Sequence, residues 1–201
     1  MPDNGLDTKS NIFNAALRLF AEKGYENVSV RDIADAVGIK AASIYNHYEC
    51  KEQILELIYR FYLKNRYHER LVKEQYEPIL RNGTKVDIMN IFNYTFETSI
   101  HENMVYAVFV IYSRVYNDTR AREIYVSEVD GAVQYIKEIF NLGIEIGRIH
   151  PFNVQMVSLV ILSARLFTGH SSAIAPEQKV EWHKAHVDLL DEMARIVPFI
   201  Y

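Results

Sequence analysis

Cysteine occurs once in these 201 residues, as Cys50, so the chain holds no internal disulfide and fits a reducing compartment. Long apolar runs are missing. The longest, around Met156 to Leu162, contains Ser158 and is far too short to span a bilayer. An excess of positive charge is missing too. The net charge is −4, so the chain as a whole is not a basic nucleic-acid binder. The opening MPDNGLDTKS has neither the basic nor the apolar region of a signal peptide, and a cytoplasmic protein without membrane contact is expected.

Strand patterns are scarce, and neither an internal repeat nor a low-complexity tract occurs. Walker A, G-x-G-x-x-G and G-x-S-x-G motifs are absent. Carboxylate pairs such as Glu123 with Glu128 have no defining spacing, and Cys50 has no mechanistic company. An enzyme would therefore have to build its site without any of these signals.

What is present is helical spacing almost everywhere, in a chain that is 49% hydrophobic and 24% charged and can bury a sizeable core. Ile12, Ala15, Ala16, Leu19 and Phe20 line one helix face, with Thr8 as a candidate cap and Gly24 as a stop. Ser29 and Asp32 form an S-x-x-D cap before Ile33, Ala34 and Val37, and that short helix ends at Gly38. A third short helix fits Lys40 to Tyr48, and a long fourth one starts near Lys51. Further helices are predicted over Val86 to Ile100, Met104 to Tyr116, Thr119 to Ile146, Phe152 to Thr168 and Pro176 to Val197. Loops are predicted over Glu77 to Thr84, Gly147 to Pro151 and Gly169 to Ala175. The expected fold is all-α. A small domain over residues 1–50 would precede a larger helical body over 51–201.

The stretch GIKAASIYNHYECKEQIL places many hydrogen-bond donors just after a glycine. A short capped helix, a glycine turn and a second short helix make a helix-turn-helix, here about residues 29–48. Ile33, Ala34 and Val37 anchor its first helix, and Ile39 and Ile44 the second. Small residues, Ala34, Ala41 and Ala42, allow close approach of the helices and of a duplex. The polar face of the second helix is then free for a major groove. Tyr45 and His47 suit phosphate oxygens, and Lys40 and Asn46 reach bases or phosphates. Lys51 sits at a helix N-terminus, itself an anion site.

The run IFNAALRLFAEKGYENVSVRDIADAVGIKAASIYNHYECKEQIL resembles the N-terminal domain of the tetracycline-repressor-like (TetR) family. The matches are Ala16, Phe20, Gly24-Tyr25, Ser29 to Ala34, Gly38, Ser43-Ile44-Tyr45, His47-Tyr48 and Lys51-Glu52, without a gap. The resemblance implies a homodimeric all-α repressor of a palindromic double-stranded DNA operator. Its middle helices would enclose an inducer pocket, and its last two helices would form a four-helix dimer bundle. The DNA-facing set then comprises Ser29, Arg31, Lys40, Ala41, Ala42, Ser43, Tyr45, Asn46, His47 and Lys51. Three departures stand out. Cys50 occupies a position that usually holds a small polar cap, and a thiol caps poorly. Lys40-Ala41-Ala42 replaces the common Ser/Arg-x-Gly, which bears on which bases are read. Up to Arg60, seven Lys and Arg stand against nine Asp and Glu, a net −2, so affinity should rest on a few placed contacts.

The body is rich in aromatic residues. Tyr62, Phe92, Phe96, Tyr106, Phe109, Tyr112 and Arg114 are the candidate lining of a pocket for an apolar or aromatic inducer, against a packed core as the alternative. Arg114 and Arg165 interrupt apolar helices and need anions, for which Asp188 or Glu192 is the internal candidate and a ligand carboxylate or phosphate the other. His183 and His186, with His170 upstream, have a metal-compatible spacing that is common by chance, and no metal or cofactor is expected. Cys50, beside Lys51, is either a sensor thiol or a tolerated surface residue. Met156, Val157, Leu159, Val160, Ile161, Leu162, Leu166 and Phe167 cover so much of their helix that burial on two sides, as in a homodimer, is expected. The competing functions are an adaptor that keeps the helix-turn-helix as a scaffold and, less favoured, an enzyme in the helical body.

Overall fold

A computed structural model describes residues 5–66, 70–97, 102–174 and 179–199, with side chains for all of these except 5–7, 93–97, 102, 165, 167–174, 179–183 and 186. The described residues form ten α-helices and no strand. In order they are α1 (Gly5–Lys23), α2 (Val30–Val37), α3 (Ala41–Ile44), α4 (Lys51–Asn65), α5 (Lys73–Asn82), α6 (Lys85–Glu97), α7 (Glu102–Arg114), α8 (Thr119–Glu145), α9 (Val154–Ile174) and α10 (Lys179–Ile196). A 3-10 turn, Tyr25–Asn27, separates α1 from α2. No helix among the described residues is long and apolar enough to cross a membrane.

The chain packs as two units: Met1–His68 with Ile100–Val126, and Glu69–Ser99 with Ser127–Tyr201. In the first, Ile12, Leu17 and Phe20 of α1, Ile33 of α2, Ile44 of α3 and Ile54, Ile58 and Tyr59 of α4 form one core. Ala107, Val110 and Ile111 of α7 join that core, and α7 packs on α1 and α4. In the second, Leu80 of α5, Ile88 and Phe92 of α6, Ile139 and Phe140 of α8, Val157 and Ile161 of α9 and Leu190 of α10 meet. Gly143 is needed there, because a Cβ would lie 2.6 Å from a methyl of Ile149. Arg148 donates to the Gly83 carbonyl at 2.7 Å, and His150 N–H to that of Pro198 at 2.8 Å.

Several boundaries differ from the sequence-based expectation. Thr8 lies inside α1, which begins at Gly5, so it is not the cap. Gly24 has φ 81° with an extended ψ of 142°, so the helix stops through a positive-φ residue that is not left-handed helical. The second half of the reading helix tightens after Ile44 into i+3 bonding, His47 N–H to the Ile44 carbonyl at 2.9 Å. Residues 77 to 82, expected as loop, belong to α5. Buried Tyr76 and Leu80, at i and i+4, and the Arg81–Glu77 pair outweigh Pro78, which lies inside the helix. Likewise α9 runs on through 169 to 174.

Candidate nucleic-acid interface

The start of α2 is a complete capping box. Ser29 Oγ accepts from Asp32 N–H at 3.2 Å, while the Asp32 carboxylate accepts the Ser29 N–H at 2.7 Å and hydroxyl at 2.6 Å. These bonds from Ser29 hold the Asp32 carboxyl below the usual carboxylate range. Both donors of Ser29 are thus committed inside the box. At the other end Gly38 is left-handed, φ 75° and ψ 31°, and Ile39 N–H bonds the Ala34 carbonyl at 3.0 Å. That turn leads the chain into α3, the order of elements in a helix-turn-helix.

Beyond it lies the face with the donors. Arg31, Lys40, Ala42, Tyr45 and Asn46 are exposed, and Ala41, Ser43 and His47 half-buried, with Tyr45 57% exposed despite its ring. Ile44 and Tyr48 point the other way into the core, and Tyr48 O–H donates to the Lys9 carbonyl of α1 at 2.9 Å. Burial pushes the Tyr48 hydroxyl pKa up.

Lys51 is placed differently from the rest. Its amine donates to the carbonyls of Tyr25 and Val28, both at 2.9 Å, and lies 4.0 Å from the centre of the Tyr25 ring. A lysine has three N–H donors, so one remains for an outside anion. Cys50, the N-cap of α4, makes no side-chain cap bond, in line with a poor acceptor, and Gln53 accepts the Glu49 N–H at 2.8 Å instead.

A polar cluster that the sequence did not reveal sits behind this face. Tyr25 O–H donates to Glu52 at 2.9 Å, and the guanidinium of Arg114 lies 4.3 Å from the same ring. Arg114 pairs with Glu26 at 2.9 Å and Asp118 at 3.3 Å, and Tyr59 O–H donates to Asp118 at 2.8 Å. Burial and then the carboxylate hydrogen bonds push the Tyr25 and Tyr59 hydroxyls well above their ordinary value. For Asp118 burial raises the carboxyl pKa, but bonds from Ala121 N–H, Tyr59 and Arg114 outweigh it and hold it low. The anions of Arg114 are therefore Glu26 and Asp118, not Asp188 or Glu192. The signal for Glu26 was out of reach, since 88 residues separate the partners.

The candidate pocket residues are divided between the two units. Tyr62 is buried in the core of the first unit, and Tyr106 and Tyr112 pack against that core, with the Tyr112 ring edge-on to Tyr125 at 4.9 Å. Phe109 is half-buried on α7. Phe92 belongs to the second unit, 5.0 Å from Phe140. The side chains of Phe96, Arg165, Phe167, His170, His183 and His186 lie outside the described residues. On α9 Val157, Ile161 and Leu162 are buried, while Met156, Leu159 and Val160 are 55%, 45% and 38% exposed in the single chain.

Residues 12–58 match the family model described as bacterial regulatory proteins, tetR family. The repressor KstR2 of Rhodococcus jostii is 42% identical over 55 residues, 27% of each chain. The biofilm operon icaADBC negative regulator IcaR of Staphylococcus epidermidis is 48% identical over 46 residues, 23% of this chain and 25% of its own. The aligned part thus spans about a quarter of these relatives. The whole fold is shared more widely. The ketosteroid transcriptional regulator KstR2 of Mycobacterium tuberculosis superposes with a TM-score of 0.67 at 21% identity, covering 96% of this chain and 95% of its own. A TetR transcription regulator of Haloarcula marismortui gives 0.64 at 14%, covering 96% and 99%. The capping box, the left-handed turn and the exposed donors all lie inside the segment that matches the model of the tetR family of bacterial regulatory proteins.

Proposed function

We propose that the chain is a ligand-responsive transcriptional regulator, a repressor that binds a palindromic operator as a homodimer and is released by a small-molecule inducer. The observation that carries this reading is the matched segment, in which Lys40, Tyr45 and Asn46 are exposed on either side of α3 and His47 is half-buried. Lys40, Ala41, Ala42 and Ser43 would read base edges, with Tyr45, Asn46, His47, Arg31 and the third donor of Lys51 on phosphates. Ser29 would act by holding the start of α2. Residues 1–50 would carry DNA binding and 51–201 ligand binding and dimerisation, in the cytoplasm and with no enzymatic role.

The alignments with these repressors cover only 23–27% of the chain. The inducer is therefore argued from this chain's own rings in the first unit, Tyr62, Tyr106, Phe109 and Tyr112, which favour an apolar or aromatic molecule. Arg114 is spent on Glu26 and Asp118 and is not carried into that set. The test is a gel shift with the DNA upstream of the gene. A shift that survives competitor DNA and halts at a dimer stoichiometry supports the reading. No shift at low salt would leave the adaptor reading, which the net −2 of the first sixty residues favours.

A further inference from the structure

The packing of α7 on α1 and α4 is apolar, through Ala107, Val110 and Ile111. Apolar contact is non-directional and fixes no register. Directional contacts lie near both ends of α7: Asn103, near its start, donates to Asn14 of α1 at 3.1 Å, and a larger group gathers at its end. There Arg114 lies over the Tyr25 ring and reaches Glu26, both in the 3-10 turn. That turn leads through extended Val28 directly to Ser29, the cap of α2. The capping box and the Ala34-to-Ile39 bond tie that cap, through α2, to the turn that leads into α3.

The burial pattern separates two roles within the cluster. The Arg114 side chain is 14% exposed, and Asp118, 18% exposed and four residues further on, already answers its charge. Glu26, 77% exposed, makes the shorter bond, 2.9 Å against 3.3 Å for Asp118, and so shares in offsetting the burial of Arg114. What its bond adds is a link across the chain between the end of α7 and the turn that aims the helix-turn-helix.

We propose that Arg114, through Glu26 and Tyr25, is a positioning residue that sets the orientation of the DNA-reading helix. This rests on the DNA-binding reading above. It makes a prediction opposite in sign to plain electrostatics. Removing the negative charge of Glu26 from a DNA-binding domain should tighten binding to any duplex if charge alone matters. If Glu26 positions the reading helix, Glu26→Gln weakens binding to the operator while unrelated DNA is bound as well or better. An exposed ion pair is worth at most about fivefold in an equilibrium constant, so the loss should be a few-fold.

The experiment measures the affinity of the full chain for the duplex upstream of its gene and for an unrelated duplex of equal length, far below the melting temperature. Wild-type protein comes first: failure to prefer the upstream duplex strikes the DNA-binding reading itself. Given that preference, the expected result is a specific-to-unrelated ratio lowered by Glu26→Gln and, where it folds, by Arg114→Gln. A ratio unchanged or raised in Glu26→Gln overturns the proposal. Glu26 is exposed, so this variant decides the matter even where the Arg114 variants fail to fold.

Discussion

At the scale of the single residue, the structure separates side chains that share a chemistry. Tyr45 and Tyr25 are both tyrosines of the N-terminal domain, yet one is 57% exposed and the other 7%. Tyr45→Phe and His47→Ala should each weaken operator binding with little change in melting temperature, since neither side chain is buried in the core. Loss of a phosphate contact weakens all sequences alike and lowers the salt slope by about one. Gel-shift affinities equal to wild type in both would remove these two from the contact set. Lys51→Ala belongs to another class. It leaves the carbonyls of Tyr25 and Val28 without their charged donor, so both stability and affinity should fall. Hydrogen bonds to a charged group are worth about 1.5–3 kcal/mol, a loss that thermal melting would register. An unaltered melting temperature would mean that the lysine serves DNA alone.

At the scale of the element, the ends of α2 decide how the reading helix is presented. Ser29→Ala removes the acceptor for Asp32 N–H and should cost about 1 kcal/mol, read by denaturant midpoint. Gly38→Ala meets no neighbouring atom within 4 Å, so any cost comes from the positive φ alone, about 1 kcal/mol. Acid should act on the same kind of feature. Asp32 and Asp87, bonded by Ser29 and Thr84, and Asp118 at the start of α8 all have depressed carboxyl pKa values. A folded pKa below the unfolded one gives stability that is present above the unfolded value, about 3.9, and lost as pH falls through the folded one. Melting temperature should therefore hold from neutral pH to about 5 and drop in stronger acid. Asp118→Asn should shallow that acid limb, and an identical limb would deny Asp118 a part in it.

At the scale of the molecule, three residues on one face of α9 remain exposed in the single chain while their neighbours are buried. Met156, Leu159 and Val160 follow the i, i+3, i+4 spacing of one stripe. An apolar stripe left to water is a surface for a partner, and a second copy is the partner the dimer proposal names. Leu159→Lys puts a charge into that stripe without touching the core and should shift the sedimentation equilibrium toward monomer at micromolar concentration. It should also weaken operator binding, because two half-sites need two linked reading helices. A variant that remains as dimeric as wild type would place the interface elsewhere.

Local rules were enough for much of this protein. The all-helical class, the Ser29–Asp32 box, the Gly38 turn and the outward Tyr45 and His47 all depend on residues within a few positions of each other, so periodicity and capping chemistry in the sequence determine them. Residues 77 to 82, expected as loop, are a local matter too, since buried Tyr76 and Leu80 lie one turn apart on α5 across Pro78. Only the tertiary structure decided the long-range partnerships: Arg114 with Glu26, Tyr59 with Asp118, Lys51 with the carbonyls of Tyr25 and Val28. An arginine in an apolar helix announces that it needs an anion. Which carboxylate meets it depends on how α7 is packed, and apolar packing, being non-directional, leaves no mark of that choice in the sequence.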